Sequence, residues 1–138
     1  MTRARAAVLD LTCVLLFTLA GRSSHAEALS PAGVWQTAWP FLAGLAAGWL
    51  LARLVRGHWP LGLRDAVLVW AVTVGGGMAL RAMSGQGTDP AFVLVAATVL
   101  AALLLGWRAA GALVSALRVR RGGTRAPAEQ RGGSGLSS

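Results

Sequence analysis

An aspartate inside an apolar run is the first residue of this chain that could do chemistry. Asp10 is the one charged residue between Ala6 and Gly21. A carboxylate at the centre of a membrane helix costs about 2.5–3.5 kcal/mol on insertion scales. Asp10 stands one helical turn past Ala6, so it lies about 6 Å inside the boundary at 1.5 Å per residue, where snorkelling lowers that cost. Three roles fit the position: an ion pair between helices, a solvated interfacial carboxylate, or a step in an ion or proton relay. The ion pair is the expected one, with Arg108 or Arg64 as partner in the same leaflet.

A second group gathers at the other ends of the apolar runs. Arg22 and His25 follow the first run and Arg81 ends the third. Glu27, Gln36, Ser84, Thr88 and Asp89 lie in the adjoining segments. Such groups could converge on an anion or a lipid headgroup. The plainer expectation is that the two arginines anchor at the phosphate level. A metal role for His25 is not expected, since a site needs several ligands and His58 is the one other histidine. His58, beside Trp59-Pro60, reads as a loop residue. The candidate polar cluster is therefore Asp10, Arg22, His25, Arg81 and Arg108.

No enzyme is expected. The sequence has no H-E-x-x-H, P-loop, G-x-S-x-G or paired-carboxylate pattern. Gly85-Gln86-Gly87-Thr88 has the glycines of a phosphate loop without its lysine and reads as a tight turn. The lone Cys13 can form no internal disulfide, and Cys/His metal spacing is missing. No cofactor is implied.

The elements that must position these residues follow from composition. Of 138 residues, 55% are hydrophobic and 13% charged. A soluble domain carries roughly 25% charged residues, and a small one needs a largely polar skin. The balance points to lipid as the solvent. The formal charge of +8 is carried by arginine alone, with Ile, Lys, Asn and Tyr absent. That is the codon signature of a high-GC genome, of the kind actinobacteria carry, before it is guanidinium chemistry. Because the arginines flank apolar runs, they fit a membrane face and not nucleic acid.

Four spans are expected, at about 6–22, 33–54, 63–83 and 90–110, within a membrane domain of residues 1–117. A disordered Arg/Gly-rich cytoplasmic tail is expected over 118–138. Met1–Arg5 followed by an apolar stretch and Ala26-Glu27-Ala28 has the outline of a signal peptide. Asp10 within that stretch and Arg22 before the site argue for a retained helix. Arg3, Arg5, Arg53, Arg56, Arg64, Arg108, Arg118, Arg120, Arg121, Arg125 and Arg131 fall on one side, and Arg22 and Arg81 on the other. The positive-inside rule then places both termini in the cytoplasm of a plasma-membrane protein. Trp35, Trp39, Trp59 and Trp107 sit at belt positions, while Trp49 and Trp70 lie deeper and are expected between helices.

Small residues at fourth positions mark helix contacts: Gly44 and Gly48, Thr73 and Gly77, and Thr98, Ala102, Gly106 and Ala110. Gly44, Gly48, Gly77 and Gly106 are the candidate packing glycines, within the chain or across a homodimer. Gly75-Gly76-Gly77 is expected to mark a tight crossing. The second span should start near Pro31 and kink at Pro40. Arg22 and Arg81, and Gly48-Trp49 and Gly106-Trp107, recur at nearly equal intervals, so the chain could be two copies of one hairpin.

Asp10, Gly21-Arg22-x-x-His25, Pro40-Phe41-x-x-Gly44-x-x-x-Gly48-Trp49, Gly77-x-x-x-Arg81, Gly87-Thr88, Phe92 and Gly106-Trp107-Arg108 together resemble the membrane family of bacteria and archaea known as domain of unknown function 3054. The resemblance covers about residues 6–110. It implies a multi-helix integral membrane protein and carries over no activity and no catalytic residue. The expected architecture is an all-α four-transmembrane-helix bundle. The expected role is a structural or accessory membrane subunit, with a small ion or anion transporter or channel, as a possible dimer, as the alternative. Its partners would be the bilayer and either a second copy or another membrane protein.

Overall fold

A computed structural model of the protein describes residues 1–24 and 29–123. Four helices account for nearly all of them: α1 (Arg3–Ser24), α2 (Pro31–Arg56), α3 (Leu63–Met83) and α4 (Pro90–Gly123). All four are long and apolar enough to cross a membrane. At 1.5 Å per residue α3 is about 32 Å long, close to the roughly 30 Å of a hydrocarbon core.

The helices form a ring. α1 packs on α2, α2 on α3, α3 on α4 and α4 on α1, while among the described residues the diagonal pairs do not pack backbone to backbone. Much of the outer surface is apolar and uncovered, with Leu11, Leu15, Leu16, Leu50, Leu54, Val67 and Leu94 all exposed. In water that would be an aggregation surface; in a bilayer it is the surface that meets lipid.

Local sequence sets the helix ends. Ser30 caps α2, its side chain accepting from Gly33 N–H, and Pro31 occupies the first turn, where its missing N–H costs nothing. The helix runs through Pro40, which is fully buried, to a left-handed Gly57 whose N–H returns to the Arg53 carbonyl. Starting near Pro31 is thus the correct reading of this span. α4 runs further than the sequence reading placed it. Residues 118–123, assigned to the disordered tail, are helical. The cause lies in composition: Arg118, Arg120 and Arg121, strong helix formers, continue the helix from the Ala- and Leu-rich turns before them. From Ala112 onward the helix is exposed on every face. The rest of the expected tail, residues 124–138, lies outside the described residues.

The tightest seam joins α2 and α3. A Cβ on Gly44 would come within 2.7 Å of the Thr73 carbonyl oxygen, and one on Gly48 within 3.0 Å of the Val69 oxygen. A Cβ on Gly77 would fall 2.6 Å from the Phe41 ring. At Gly44 and Gly48 the two backbones touch as small-residue stripes allow, and at Gly77 the Phe41 ring takes the place a side chain would need. Gly77 and its neighbour Gly76 lie at this crossing, Gly76 facing the Gly44 Cα. Gly106 differs: nothing lies within 4 Å of the place its Cβ would take. Its whole stripe, Thr98, Ala102, Gly106 and Ala110, is exposed. Gly106 is therefore no packing glycine of this bundle. Spacing alone defines a stripe and leaves open whether it faces protein or lipid.

Mid-bundle, Phe41 meets Phe17 edge to face, with ring centroids 5.1 Å apart, and Phe92 lies 6.3 Å and 6.2 Å from the two. Val14, Val69, Leu100 and Leu104 complete a dry layer between two polar ends.

Candidate functional site

Asp10 enters the bundle from α1 and is fully buried. A charge removed from solvent needs pairing and donors on its remaining lone pairs. Both come from two other helices, α2 and α4. Arg108 on α4 meets the carboxylate with a two-pronged fork, Nη1 to Oδ1 at 2.7 Å and Nη2 to Oδ2 at 2.8 Å. Trp107 on α4 donates its indole N–H to Oδ1 at 2.9 Å, and Trp49 on α2 donates to Oδ2 at 2.9 Å. Each oxygen thus accepts two bonds.

Arg108 is held just as firmly. Its Nη1 also donates to the Leu104 carbonyl at 2.9 Å, one turn back on α4. Its Nη2 donates to the carbonyl of Pro60, in the α2–α3 loop, at 3.0 Å. The guanidinium carbon lies 4.3 Å from the Trp107 ring centroid, a cation–π distance. Nε is the one buried side-chain nitrogen without an acceptor among the described residues. The arrangement ties α1, α2, α4 and the α2–α3 loop at one point. Arg64, the other candidate partner for Asp10, is exposed.

The loop over this end carries its own contacts. Trp59 stacks obliquely near Trp49, with centroids 6.0 Å apart, and Arg3 and Arg53 lie 5.8 Å and 5.7 Å from the Trp59 ring. Arg53 also donates to the Gly57 carbonyl. Asp65, in the first turn of α3, is buried and pairs with Arg56 at 3.3 Å. That position also places its charge at the positive end of the helix dipole. His58 is the loop residue expected from sequence, and its Nδ1 lies 3.8 Å from Asp65.

At the opposite end, Arg22 of α1 and Arg81 of α3 line one small cavity of about 110 Å³ together with Phe17, Thr18, Thr37 and Phe92. These helices are diagonal partners, so only long side chains bridge them. Arg22 donates to the Thr37 hydroxyl at 2.9 Å and lies against the Gly33 Cα, where a Cβ would come within 2.5 Å of Nη2. Arg81 is wrapped by the turn after α3. It donates from Nε to the Gly87 carbonyl, from Nη1 to Gln86 Oε1 and from Nη2 to the Gln86 carbonyl, at 3.2, 3.1 and 3.2 Å. Gly85 and Gly87 take positive φ, as the tight turn requires. Gly85-Gln86-Gly87-Thr88 is therefore a turn, and its carbonyls hold an arginine. A wider cleft of about 390 Å³ adjoins, sharing Phe17, Gly21, Arg81 and Phe92 with the small cavity.

Of the sequence candidates, Asp10 and Arg108 come together at one end and Arg22 and Arg81 at the other. His25 lies outside the described residues. Trp49 and Trp107, at matching places in the two apparent hairpins, converge on the same carboxylate. Gly48 and Gly106 do not match, one packed and one open. Sequence reasoning missed Asp65 and the donor role of the tryptophans. For Trp49 a signal existed: it lies deep in the second span, where it was expected between helices, and a buried indole N–H needs an acceptor. Among the described residues no three His, Cys, Asp or Glu side chains gather as a metal set.

The chain belongs to the family described as Protein of unknown function (DUF3054), whose model matches residues 7–111. The match holds Asp10, Arg22, Trp49, Arg81, Trp107 and Arg108 and the α2–α3 seam. No curated protein and no solved structure matches the chain.

Proposed function

We propose that the protein is a structural or accessory subunit of the plasma membrane, without a reaction of its own and without a permeation path. The observation that carries this reading is the state of the polar groups at depth. Thr12, Thr18, Thr73 and Thr98 each donate their hydroxyl to the carbonyl one turn back on their own helix, at 2.8, 3.0, 2.6 and 2.7 Å. A conduit needs polar groups aimed into a lumen. Here the space between the two ends is filled by Phe17, Phe41, Val14, Val69, Leu100 and Leu104. Asp10 is engaged by four donors, which suits a fixed joint better than a group that must release and take up protons.

The partner of such a subunit would be another membrane protein or a second copy. The arginine distribution favours both helical ends of the chain, near Arg3 and after Arg108, in the cytoplasm. Reporter fusions after Arg56 should read cytoplasmic and fusions after Gly87 periplasmic.

One feature favours the transporter alternative. The cavity lined by Arg22 and Arg81 opens at one end, as an anion entry would. Purified protein in liposomes loaded with pH- and anion-sensitive dyes decides the matter. Flux no greater than in empty liposomes is expected; flux abolished by Asp10→Asn or Arg81→Gln would put transport first.

A further inference from the structure

We infer that the seam between α1 and α2 holds an anionic phospholipid, its phosphate at Arg3 and Arg53 and one acyl chain in the groove beneath them. Arg3 opens α1 and Arg53 stands in the last turn of α2, so both lie at the same end of the bundle. Their guanidinium carbons lie 5.8 Å and 5.7 Å from the centroid of one ring, that of Trp59. Two like charges gathered about one indole repel each other unless an anion joins them. The described residues supply none. Of the two carboxylates at this end, Asp10 is engaged by Arg108 and two tryptophans, and Asp65 is paired with Arg56. Arg53 spends one donor on the Gly57 carbonyl, which fixes it to the end of its own helix. Among the described residues no carbonyl or carboxylate accepts from the Arg3 guanidinium. Both side chains are exposed, so their remaining donors are open to a ligand, and guanidinium geometry suits phosphate oxygens.

The groove says which form the phosphate takes. It has a volume of about 150 Å³ and is lined by Ala7 and Leu11 of α1 and Leu42, Leu45, Ala46 and Trp49 of α2. Helical spacing sets it under the two cations. Ala7 and Leu11 follow Arg3 by one and two turns, and Trp49 and Leu45 precede Arg53 by one and two, so each series shares a helix face. Trp49 is a fixed wall, since its indole N–H is bound to Asp10 at 2.9 Å. Its ring lies 6.0 Å from that of Trp59, which links the apolar groove to the cationic end. An anionic lipid has the same two parts in the same order. Closed ligand pockets hold roughly 300–1,000 Å³. This groove is smaller, and Leu11 and Ala46 are exposed along it. It therefore seats one stretch of a chain whose remainder stays in the bilayer. The arginine distribution favours this end as the cytoplasmic one, where anionic lipid gathers. The site goes beyond the accessory reading and does not depend on it, because a bound lipid requires neither a protein partner nor flux.

The test uses the purified full chain, delipidated and then offered phosphatidylglycerol, phosphatidylcholine or inorganic phosphate, read by native mass spectrometry and by melting. One phosphatidylglycerol should stay bound per chain and raise the melting temperature, with phosphatidylcholine and free phosphate giving much less. Arg3→Gln and Arg53→Gln should each weaken retention by about fivefold, the effect of one basic residue at an anionic surface. Arg53 also holds the end of α2, so Ala46→Trp serves as the second probe. Ala46 is exposed, so an indole there fills the groove without entering the core and should lower retention at least as much. Arg64→Gln, which removes an exposed arginine at the same end, should leave retention unchanged. Equal retention by wild type, the Arg3→Gln/Arg53→Gln pair and Ala46→Trp would overturn the site. So would a loss in Arg64→Gln as large as that in Arg3→Gln, because retention would then follow net charge alone. Stabilisation by inorganic phosphate equal to that by the lipid would overturn the lipid assignment.

Discussion

The two polar ends of this bundle use arginine in opposite ways. At one end Arg108 is sealed, with a side-chain exposure of 1%, and bound to a carboxylate that is itself fully buried. At the other, Arg22 and Arg81 are half-buried and border open volume. The first arrangement spends its hydrogen bonds inward and ties three helices and a loop together. The second makes bonds to Thr37, Gln86 and Gly87 and borders a cavity. A buried charge therefore does not by itself mark a place of chemistry. The two ends differ in whether open volume remains beside the charge.

The comparison breaks most readily at Asp10. Asp10→Asn or Arg108→Gln leaves one buried charge without its counter-ion, a loss of about 3–5 kcal/mol. Each should lower the detergent melting temperature more than any other single change at either end. Arg81→Gln, at the open end, should cost far less stability in the same assay. Equal losses would mean that both ends are joints.

The next effect belongs to the α2–α3 seam. Gly44→Leu has to push the Thr73 backbone aside, and overpacking of this kind costs about 1–3 kcal/mol. Gly106→Leu, with open space around its position, should leave melting unchanged within error. A large loss at Gly106 together with a small one at Gly44 would mean that the exposed α4 face is the real contact. A comparable effect is expected at the tryptophans. Trp49→Phe keeps most of the ring and removes one donor to Asp10, about 1.5–3 kcal/mol for a bond to a charged group. An unchanged melting curve would show that the remaining donors satisfy the carboxylate.

Much of this layout was legible in the sequence, for identifiable reasons. Span positions follow from apolar length, and α3 begins and ends where the expected third span does. Asp10 and Arg108 were readable as a pair because a membrane leaves a charge few alternatives. Gly44, Gly48 and Gly77 announced a close approach by spacing. Gly106 announced the same but faces away from this bundle, since in lipid both faces of a helix are apolar and periodicity carries no direction. The end of α4 was misread because the arginines after Leu117 and Gly122-Gly123 resemble a tail, although Arg propagates a helix well. The Pro60 carbonyl beside Arg108 left no trace in residue type, because any residue supplies a carbonyl. Asp65 was overlooked because an acid in a first helical turn is already accounted for by the dipole.

The central claim is that Asp10 and Arg108 form a structural joint, and a double-mutant cycle tests it most directly. Melting or denaturant midpoints of wild type, Asp10→Asn, Arg108→Gln and the double variant give the coupling between the two side chains. A joint predicts that the double variant recovers part of the loss, with a coupling of about 0.5–3 kcal/mol as found for residues in one network. Strictly additive losses would contradict the joint and return Asp10 to the groups that could work on an ion.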